Sequence, residues 1–453
     1  MRLPLMLSCL SLPIVALFPV CADTTLKLPP LDYRERVLGN GLTVLSLEDH
    51  ASPTVAVQVW YRVGAKDDPQ GRSGFAHLFE HLMFKRTKYL ADEQFDRLTE
   101  DVGGENNAST SDDYTNYLEV VPSNHLERLL WAEAERLQHL TVDDKNFKSE
   151  RAVVQEEFRA AILTPPYGRL YYQLQKESWR KHPYQRPTIG SIEELDAATV
   201  ADVQAFHTTY YRPDNAALVV SGDFDPAQLD AWVDRHFAGI AKPSTAIPRV
   251  SIVEPEREAD RRVSLRVPNV PLPALAISWL APPPTSPDAA ALKVAETLLA
   301  SGESSRLNQA LVYRQQAVQF VDFSYDDSVD RGLCSAIAVL ASGQSIEKVE
   351  RSLLAEIAKL AKEPIPEAEL DKAKTLLLTR LLAKREANDD RALALGEAWL
   401  KTGKAGNANS ELAALLAVTA ADVQRVVKEE LLDRHRVTLE YLPEAEAAKG
   451  AAQ

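Results

Sequence analysis

At 453 residues, the chain is too long for one ordinary hydrophobic core, and its length therefore predicts at least two domains. Hydrophobic residues make up 45% of the sequence and charged residues 26%, which is typical of a globular protein. Its 65 acidic side chains outnumber the 51 basic ones by 14, and this net negative charge argues against a protein that binds nucleic acid.

The first element predicted along the chain is an export signal over residues 1–22. Arg2 supplies a positive charge, residues 3–20 carry none, and the segment ends in small residues, as signal peptidase sites do. Prolines within the segment argue against a membrane-spanning helix, so we predict no stable membrane span. Cys21 leaves attachment of a lipid as the alternative to simple cleavage.

Strand signals open the mature chain. Asn40-Gly41, a dipeptide typical of tight hairpin turns, lies within residues 36–47. Residues 54–63 then alternate between apolar and polar side chains in the manner of a strand. These patterns predict a hairpin followed by a third strand.

Residues 74–84 contain a candidate metal site. His77 and His81 are four residues apart, so on a helix both rings project from one face, one turn apart. Two imidazoles at that spacing can share a zinc ion. Glu80 lies at the edge of the same face, where it can take a proton from water without being a ligand. The motif predicts metal-assisted hydrolysis.

A catalytic zinc site needs three protein ligands and one open position, so a further ligand has to come from another element. Residues 145–162, a predicted helix, are the natural donor. Glu150 and Glu157 are seven residues apart in this segment, which places them two turns apart along one face. Glu156 points about 100° away from Glu157, so these two side chains cannot easily exchange roles.

Prolines and a charged run are typical of a linker between residues 241 and 262. This division predicts a catalytic, zinc-binding N-terminal domain over residues 23–240. It also predicts a C-terminal domain over residues 263–453, homologous to the first but without a catalytic site.

An internal repeat supports this division. Residues 199–204 and 419–424 are identical at five of six positions, with an offset of 220 residues. Each copy opens a helix and precedes a β-rich segment, residues 215–222 in the first half and 437–442 in the second. We therefore predict an α+β fold of two homologous domains, each a mostly antiparallel sheet packed by helices. Further predicted strands span 262–267 and 274–280, and further predicted helices span 124–139, 287–300 and 366–386.

The three cysteines of the sequence give little information about fold or function. Cys9 and Cys21 would leave with the signal, so Cys334 cannot form an internal disulfide in the mature chain. Because Cys334 lies in an apolar stretch, we predict that it is a small buried core residue.

Together these motifs resemble those of the pitrilysin family of inverzincin peptidases, which includes insulin-degrading enzyme and the mitochondrial processing peptidase. The family signature is an upstream glycine followed by Gly-x-small-His-x-x-Glu-His. Here Gly64 precedes Gly74, and the rest of the signature ends at His81. The resemblance covers the mature chain, including Gly103-Gly104, His182-Pro183-Tyr184 and Gly222-Asp223-Phe224-Asp225.

The resemblance assigns roles around the metal. It implies that Glu157, 76 residues after His81, is the third zinc ligand, with one zinc ion per chain. It also implies that Glu150 is an auxiliary glutamate, which supports the site without binding the metal. The second half has a single histidine, His435, and no metal motif.

The resemblance also implies a substrate-binding edge strand that captures an extended peptide by β-augmentation, formed by Asn107, Ala108, Ser109 and Thr110. In the second half, Arg314 matches an arginine that binds substrate backbone in related proteins. Phe320 occupies the position of an expected tyrosine, for which Tyr313 or Tyr325 could substitute. If the tyrosine is missing, a partner chain would have to supply it.

The function implied is a periplasmic zinc endopeptidase acting on unfolded or short polypeptides. Long family members enclose the site with four domains, whereas this chain has two, so we expect a homodimer or a heterodimer with a homologous non-catalytic subunit. One alternative is a scaffold or assembly subunit with a vestigial site, and another is a metal buffer without turnover. Glu80 distinguishes an enzyme from a metal buffer, since storage of metal needs no base beside the ligands.

Overall fold

The computed structural model describes residues 29–444, so the predicted signal peptide over residues 1–22 lies outside the described residues. Pro29 and Pro30 are exposed and belong to no helix or strand. Every described strand lies in residues 31–444: β1 (Arg34–Val37), β2 (Thr43–Glu48), β3 (Thr54–Tyr61), β4 (Glu105–Thr110), β5 (Thr115–Pro122), β6 (Ala216–Gly222), β7 (Arg261–Val267), β8 (Ala274–Ala281), β9 (Val318–Asp326), β10 (Gly332–Leu340) and β11 (Val437–Pro443).

The helices alternate with these strands. The α-helices of the described chain are α1 (Phe75–Leu82), α2 (Gln94–Glu100), α3 (Leu126–His139), α4 (Asp144–Phe158), α5 (Gly168–Ser178), α6 (Ile192–Asp196), α7 (Val200–Tyr210), α8 (Pro226–Phe237), α9 (Ala289–Ala300), α10 (Ile346–Lys362), α11 (Glu367–Ala383), α12 (Asn388–Thr402), α13 (Glu411–Ala417) and α14 (Ala420–Val427). In this part of the chain, none of the helices is both long and apolar enough to span a membrane.

The strands form two sheets with the same topology. The first has the order β1-β2-β6-β3-β5-β4 and the second the order β7-β11-β8-β10-β9. The pairs β2–β6 and β7–β11 are parallel, and the other neighbours are antiparallel. The second sheet thus repeats the first without an equivalent of β1. The prediction of an α+β fold built from two homologous, mostly antiparallel sheets is confirmed.

The repeated hexapeptide has the same structure in both halves. Thr199 caps α7 and Thr419 caps α14, each through a reciprocal capping box with the aspartate three residues later. The predicted Asn40-Gly41 hairpin also forms, with Gly41 at a φ of 93°, a left-handed conformation that glycine adopts readily. Both local patterns work because their hydrogen bonds join residues only a few positions apart.

The two halves exchange one helix each. Leu395 and Trp399 of α12, from the second half, pack on the first sheet against Trp60. In return, Leu170 and Leu174 of α5, from the first half, pack on the second sheet. Each sheet therefore has its second face covered by a helix from the other half.

This exchange explains a difference from the predicted pattern in β3. Alternation predicts one buried and one solvated face, but β3 is buried on both faces after its first residue. Gln58 lies on the face covered by α12, where its Nε2 donates to the carbonyl of Asp389 at 2.9 Å. Gln58, the polar residue of the alternating pattern, therefore contacts α12 and not solvent.

The predicted linker is ordered against the rest of the chain. Residues 241–260 contain no helix or strand, and β7 begins at Arg261, inside the predicted linker range. Glu254 is buried and accepts hydrogen bonds from the backbone N–H groups of residues 180–182. Arg257 donates to the carbonyls of Ser178 in α5 and of Ser278 in β8. The linker therefore helps to fix α5 on the second sheet. Cys334 is fully buried, as predicted.

Gly396 tests the packing of α12 on β3. Alanine normally stabilises a helix interior relative to glycine by about 1 kcal/mol. At Gly396, however, a Cβ atom would lie 2.2 Å from Nε1 of Trp60. We expect Gly396→Ala to lower the thermal midpoint of unfolding, with an overpacking cost of about 1–3 kcal/mol. Gly239→Ala, where a Cβ meets nothing within 4 Å, is the control. An unchanged or higher midpoint for Gly396→Ala would contradict this packing.

Candidate functional site

The metal motif lies on α1, whose first turn is held by a buried aspartate. Asp68 accepts hydrogen bonds from the backbone N–H of Gly74 at 2.7 Å and of Ala76 at 2.8 Å. Burial raises the pKa of Asp68 to about 7. Gly74, at a φ of 95°, leaves no room for a side chain, since a Cβ would lie 3.0 Å from the carbonyl oxygen of Ile189. Asp68 was not identified from sequence, because a capping side chain seven residues before the first residue of the helix gives no local signal.

The apolar residues of α1 fix its orientation. Phe75, Leu78, Phe79 and Leu82 are buried in the core beneath the first sheet, which leaves His77 and Glu80 of the other face to line a cavity. Phe79 stacks on His207 of α7, with ring centroids 5.4 Å apart. Burial of the apolar face therefore fixes the direction in which the polar face of α1 points.

The second contributing helix is α4, which packs against α1. Its buried residues include Phe147, Glu150, Val154 and Phe158, spaced three or four apart along one stripe. Glu157 lies beside this stripe, half-buried at the cavity. Beyond Glu157 the helix continues as a π-helical turn, Arg159–Leu163.

The structure brings His77, His81 and Glu157 together. Oε2 of Glu157 lies 3.4 Å from Nε2 of His81 and 3.6 Å from Nε2 of His77. One donor atom from each residue lies within 4.8 Å of the other two. Two ligands of a tetrahedral zinc ion, each about 2.0–2.1 Å from the metal, are about 3.3 Å apart, so these side chains fit zinc. Burial, with a smaller effect of His81, lowers the pKa of His77 to about 4, which favours the neutral imidazole that binds metals.

Glu150 lies behind the histidines. Its carboxylate is 3.8 Å from Nδ1 of His81 and 3.0 Å from Nζ of Lys85. Burial acts to raise the pKa of Glu150, but His81 and Lys85 together hold it below its usual range. Glu150 is thus placed to orient His81 from the side away from Glu157. Lys85 was not identified from sequence.

His77, Glu157 and Glu80 line a cavity of about 630 Å³ together with the end of β4. His81 completes the candidate metal-binding group next to this cavity, with its Nε2 3.4 Å from Oε2 of Glu157. Ser109 and Thr110 line the cavity opposite the helices. The hydroxyl of Thr110 donates a short hydrogen bond to Oε2 of Glu80. Burial raises the pKa of Glu80, although the bond from Thr110 acts in the opposite direction. The arrangement combines a metal-binding set, a carboxylate base and a strand edge.

The other predicted substrate-binding residues are placed as follows. Asn107 and Ala108 lie with Ser109 and Thr110 on β4, which is an edge strand of the first sheet within the described residues. Arg314 is exposed at the end of a π-helical segment in the second half and does not line the cavity. Their roles in binding substrate stay predictions.

The expected tyrosine position is on the second sheet. Phe320 is 45% exposed on β9, which forms an edge of that sheet. Of the two tyrosines that could substitute, Tyr313 is also exposed, whereas the hydroxyl of Tyr325 donates to the carbonyl of Pro282 at 2.8 Å. Tyr325 already has a hydrogen-bond acceptor within its own half.

In the second half, the helix equivalent to α1 carries different side chains. When the buried positions of α9 are aligned with those of α1, Lys293 and Glu296 correspond to His77 and Glu80. The ammonium of Lys293 lies 3.2 Å from Asp327 and 3.0 Å from Glu411. Within residues 29–444, His77, His81 and Glu157 form the single group of side chains that could hold a metal ion.

Comparison with known families supports a relationship over most of the chain. Residues 43–192 match the model described as insulinase (peptidase family M16), and residues 197–377 match the model described as the peptidase M16 inactive domain. The zinc protease PqqE of Helicobacter pylori is 30% identical over 409 residues, covering 90% of this chain and 92% of PqqE. A probable mitochondrial-processing peptidase subunit beta of Arabidopsis thaliana is 24% identical, covering 92% of this chain and 79% of that protein.

Solved structures show the same fold. A protease from Helicobacter pylori has a TM-score of 0.88 and 29% identity, covering 92% of this chain and 100% of the solved chain. The periplasmic protease PqqL from Escherichia coli has a TM-score of 0.74 and 18% identity, covering 94% of this chain but 49% of PqqL. At that identity the second likeness shows the fold alone.

His207, which stacks on Phe79 of α1, allows a prediction about how the stability of the fold depends on pH. Burial lowers its pKa from 6.5 to about 4, so the unfolded chain binds this proton more tightly than the folded one. Its contribution to stability is therefore complete above pH 6.5 and is lost as the pH falls towards 4. In His207→Phe, we expect the loss of stability between pH 7 and pH 4.5 to be smaller than in the wild type by about 2–3 kcal/mol. Chemical denaturation at both pH values measures this difference, and parallel pH dependence would contradict it.

Proposed function

The chain belongs to peptidase family M16, the insulinase or pitrilysin family, and we propose that it is a zinc-dependent endopeptidase cleaving unfolded or short polypeptides. The resemblance drawn from the motifs is confirmed at the level of the family. The observation that carries the proposal is a group of three side chains that could hold a metal ion, two of which, His77 and Glu157, line one cavity together with the carboxylate of Glu80 and the end of an edge strand. The names of relatives such as zinc protease PqqE support both the metal and the activity.

In this proposal His77, His81 and Glu157 hold the metal, and Glu80 is the base. A bound zinc ion would supply positive charge that lowers the pKa of water and polarises the peptide carbonyl. Glu80 takes a proton from the attacking water and passes it to the nitrogen of the leaving amine. Burial raises the pKa of Glu80, which strengthens it as a base for this transfer.

The edge strand accounts for the substrate class. An extended peptide can add to β4 through backbone hydrogen bonds, which depend little on side-chain identity. Asn107 and Ser109 are exposed on this strand. A folded substrate cannot offer a free extended segment, so the proposal favours unfolded or short polypeptides.

A non-catalytic scaffold is the second candidate function. Its support is the match to the inactive-domain description, which covers residues 197–377. That match falls outside the region from His77 to Glu157, which instead matches the insulinase description. Retention of Glu80 beside the metal-binding set therefore favours turnover.

We also propose a partner chain and a cellular location for this protein. One relative is named as a subunit of the mitochondrial-processing peptidase, and PqqL is about twice the length of the matching region. We therefore expect this chain to pair with a second copy or with a homologous non-catalytic chain. Export to the periplasm is proposed from residues 1–22, and the periplasmic location of the PqqL protease agrees with it.

Glu80→Gln separates binding from turnover. The amide keeps the size of the side chain but cannot accept the proton, so we expect cleavage of a quenched unstructured peptide to fall by about 10²–10⁴-fold. Zinc content, measured by atomic emission, should remain one per chain. Wild-type activity in this variant would overturn the role of the base.

Glu157→Gln tests the third ligand against an adjacent control. We expect this variant to lose zinc at a lower chelator concentration than the wild type, because a neutral amide binds the metal more weakly than a carboxylate. Glu156→Gln removes a neighbouring carboxylate that is 73% exposed and should retain zinc like the wild type. Equal loss of zinc from both variants would exclude Glu157 as the specific ligand.

A further inference from the structure

Thr110 ends the edge strand beside the proposed base. Its hydroxyl donates to Oε2 of Glu80. The hydroxyl of the preceding residue, Ser109, donates instead to Oδ1 of Asn116 at 2.5 Å, across the hairpin. Because successive side chains of a strand point to opposite faces, only one of these two hydroxyls can reach α1.

The hydrogen bond distinguishes the two oxygens of Glu80. An ionised carboxylate accepts hydrogen bonds at both oxygens. Oε2 already accepts the bond from Thr110, whereas Oε1 has no side-chain hydrogen bond within residues 29–444 and is the more available oxygen to accept a proton from water. Within residues 29–444, Glu80 has no other side-chain hydrogen bond, so without Thr110 its rotatable bonds would allow several orientations.

The donor is itself held firmly. Thr110 pairs with Thr115 of β5, which is fully buried and donates to the carbonyl of Val63 at 3.0 Å. The turn that follows is closed by a bond from the N–H of Ser111 to the carbonyl of Tyr114 at 2.8 Å. As a β-branched residue, threonine also has a restricted χ1 angle. The hydroxyl is therefore in place before any substrate binds.

We propose that Thr110 is a positioning residue for Glu80, fixing the carboxylate so that Oε1 faces the reacting water. This inference rests on the proposed peptidase function. Since the backbone of β4 would bind the extended substrate, one residue joins the substrate strand to the base. Displacement of this strand would then also displace the base.

The test compares two variants that differ in the hydroxyl. Thr110→Val keeps the shape and removes the donor, and we expect kcat to fall about 10- to 100-fold with KM changed less than about twofold. Thr110→Ser keeps the donor and should retain kcat within about threefold of the wild type. Thr54→Val is the matched control, since Thr54 is similarly half-buried in the same sheet and its hydroxyl bonds to Ser52. Its kcat should equal that of the wild type.

Two further measurements do not depend on turnover. Zinc content should remain one per chain in Thr110→Val, because the hydroxyl contacts no proposed ligand. In the inactive Glu80→Gln background, adding Thr110→Val should change the Kd of a fluorescent unstructured peptide by less than about twofold. If Thr110→Val does not fold, Thr110→Ala is compared with Thr110→Ser in the same way.

The outcomes separate this inference from the function on which it depends. Wild-type kcat in Thr110→Val, or an equal loss in Thr110→Ser, would overturn the positioning role while leaving the peptidase intact. A loss that appears in Kd alone would assign the hydroxyl to substrate binding and also overturn it. A wild-type chain without zinc or cleavage would instead remove the proposed function, and the inference with it.

Discussion

The candidate metal centre depends on a packing constraint that lies outside it, namely the exchange of helices between the two halves. Helix α4 carries Glu150 and Glu157 and continues through a π-helical turn towards α5. Leu170 and Leu174 of α5 are buried against the second sheet. Glu157 is therefore held between α1 in its own half and an anchor in the other half. Packing on the half without a metal motif therefore supports the geometry of the half that has one.

The two halves share a strand order but differ at the position of the metal motif. Both halves keep the same strand order, so both bury a helix at the position of α1. In the second half, the ammonium of Lys293 lies between carboxylates at the position equivalent to His77, a proposed metal ligand. An internal ion pair needs no metal and no open coordination position. The second copy is thus free to act as a structural support.

Burial tunes the groups of the candidate site in a consistent way. Removal from water penalises charge, so it lowers the pKa of His77 and raises the pKa of Glu80 and Asp68. A neutral imidazole is the form that binds metal, and a carboxylate of raised pKa is a stronger base. The same cavity wall therefore suits two residues to different roles. The pKa of Glu150 is lowered instead, because the effects of His81 and Lys85 outweigh the effect of burial.

The sequence by itself determined what depends on neighbours along the chain. The Asn40-Gly41 hairpin, the two capped helices and the spacing of His77, Glu80 and His81 are all set by bonds within a few residues. The tertiary structure alone decided which elements meet. No local pattern shows that α12 covers β3, that Asp68 holds the start of α1, or that Thr110 reaches Glu80. Those contacts join residues that are from 6 to more than 300 positions apart. Hydrophobic burial decides which elements pack together over such separations, and it leaves no periodic pattern in the sequence that identifies the contacting residues.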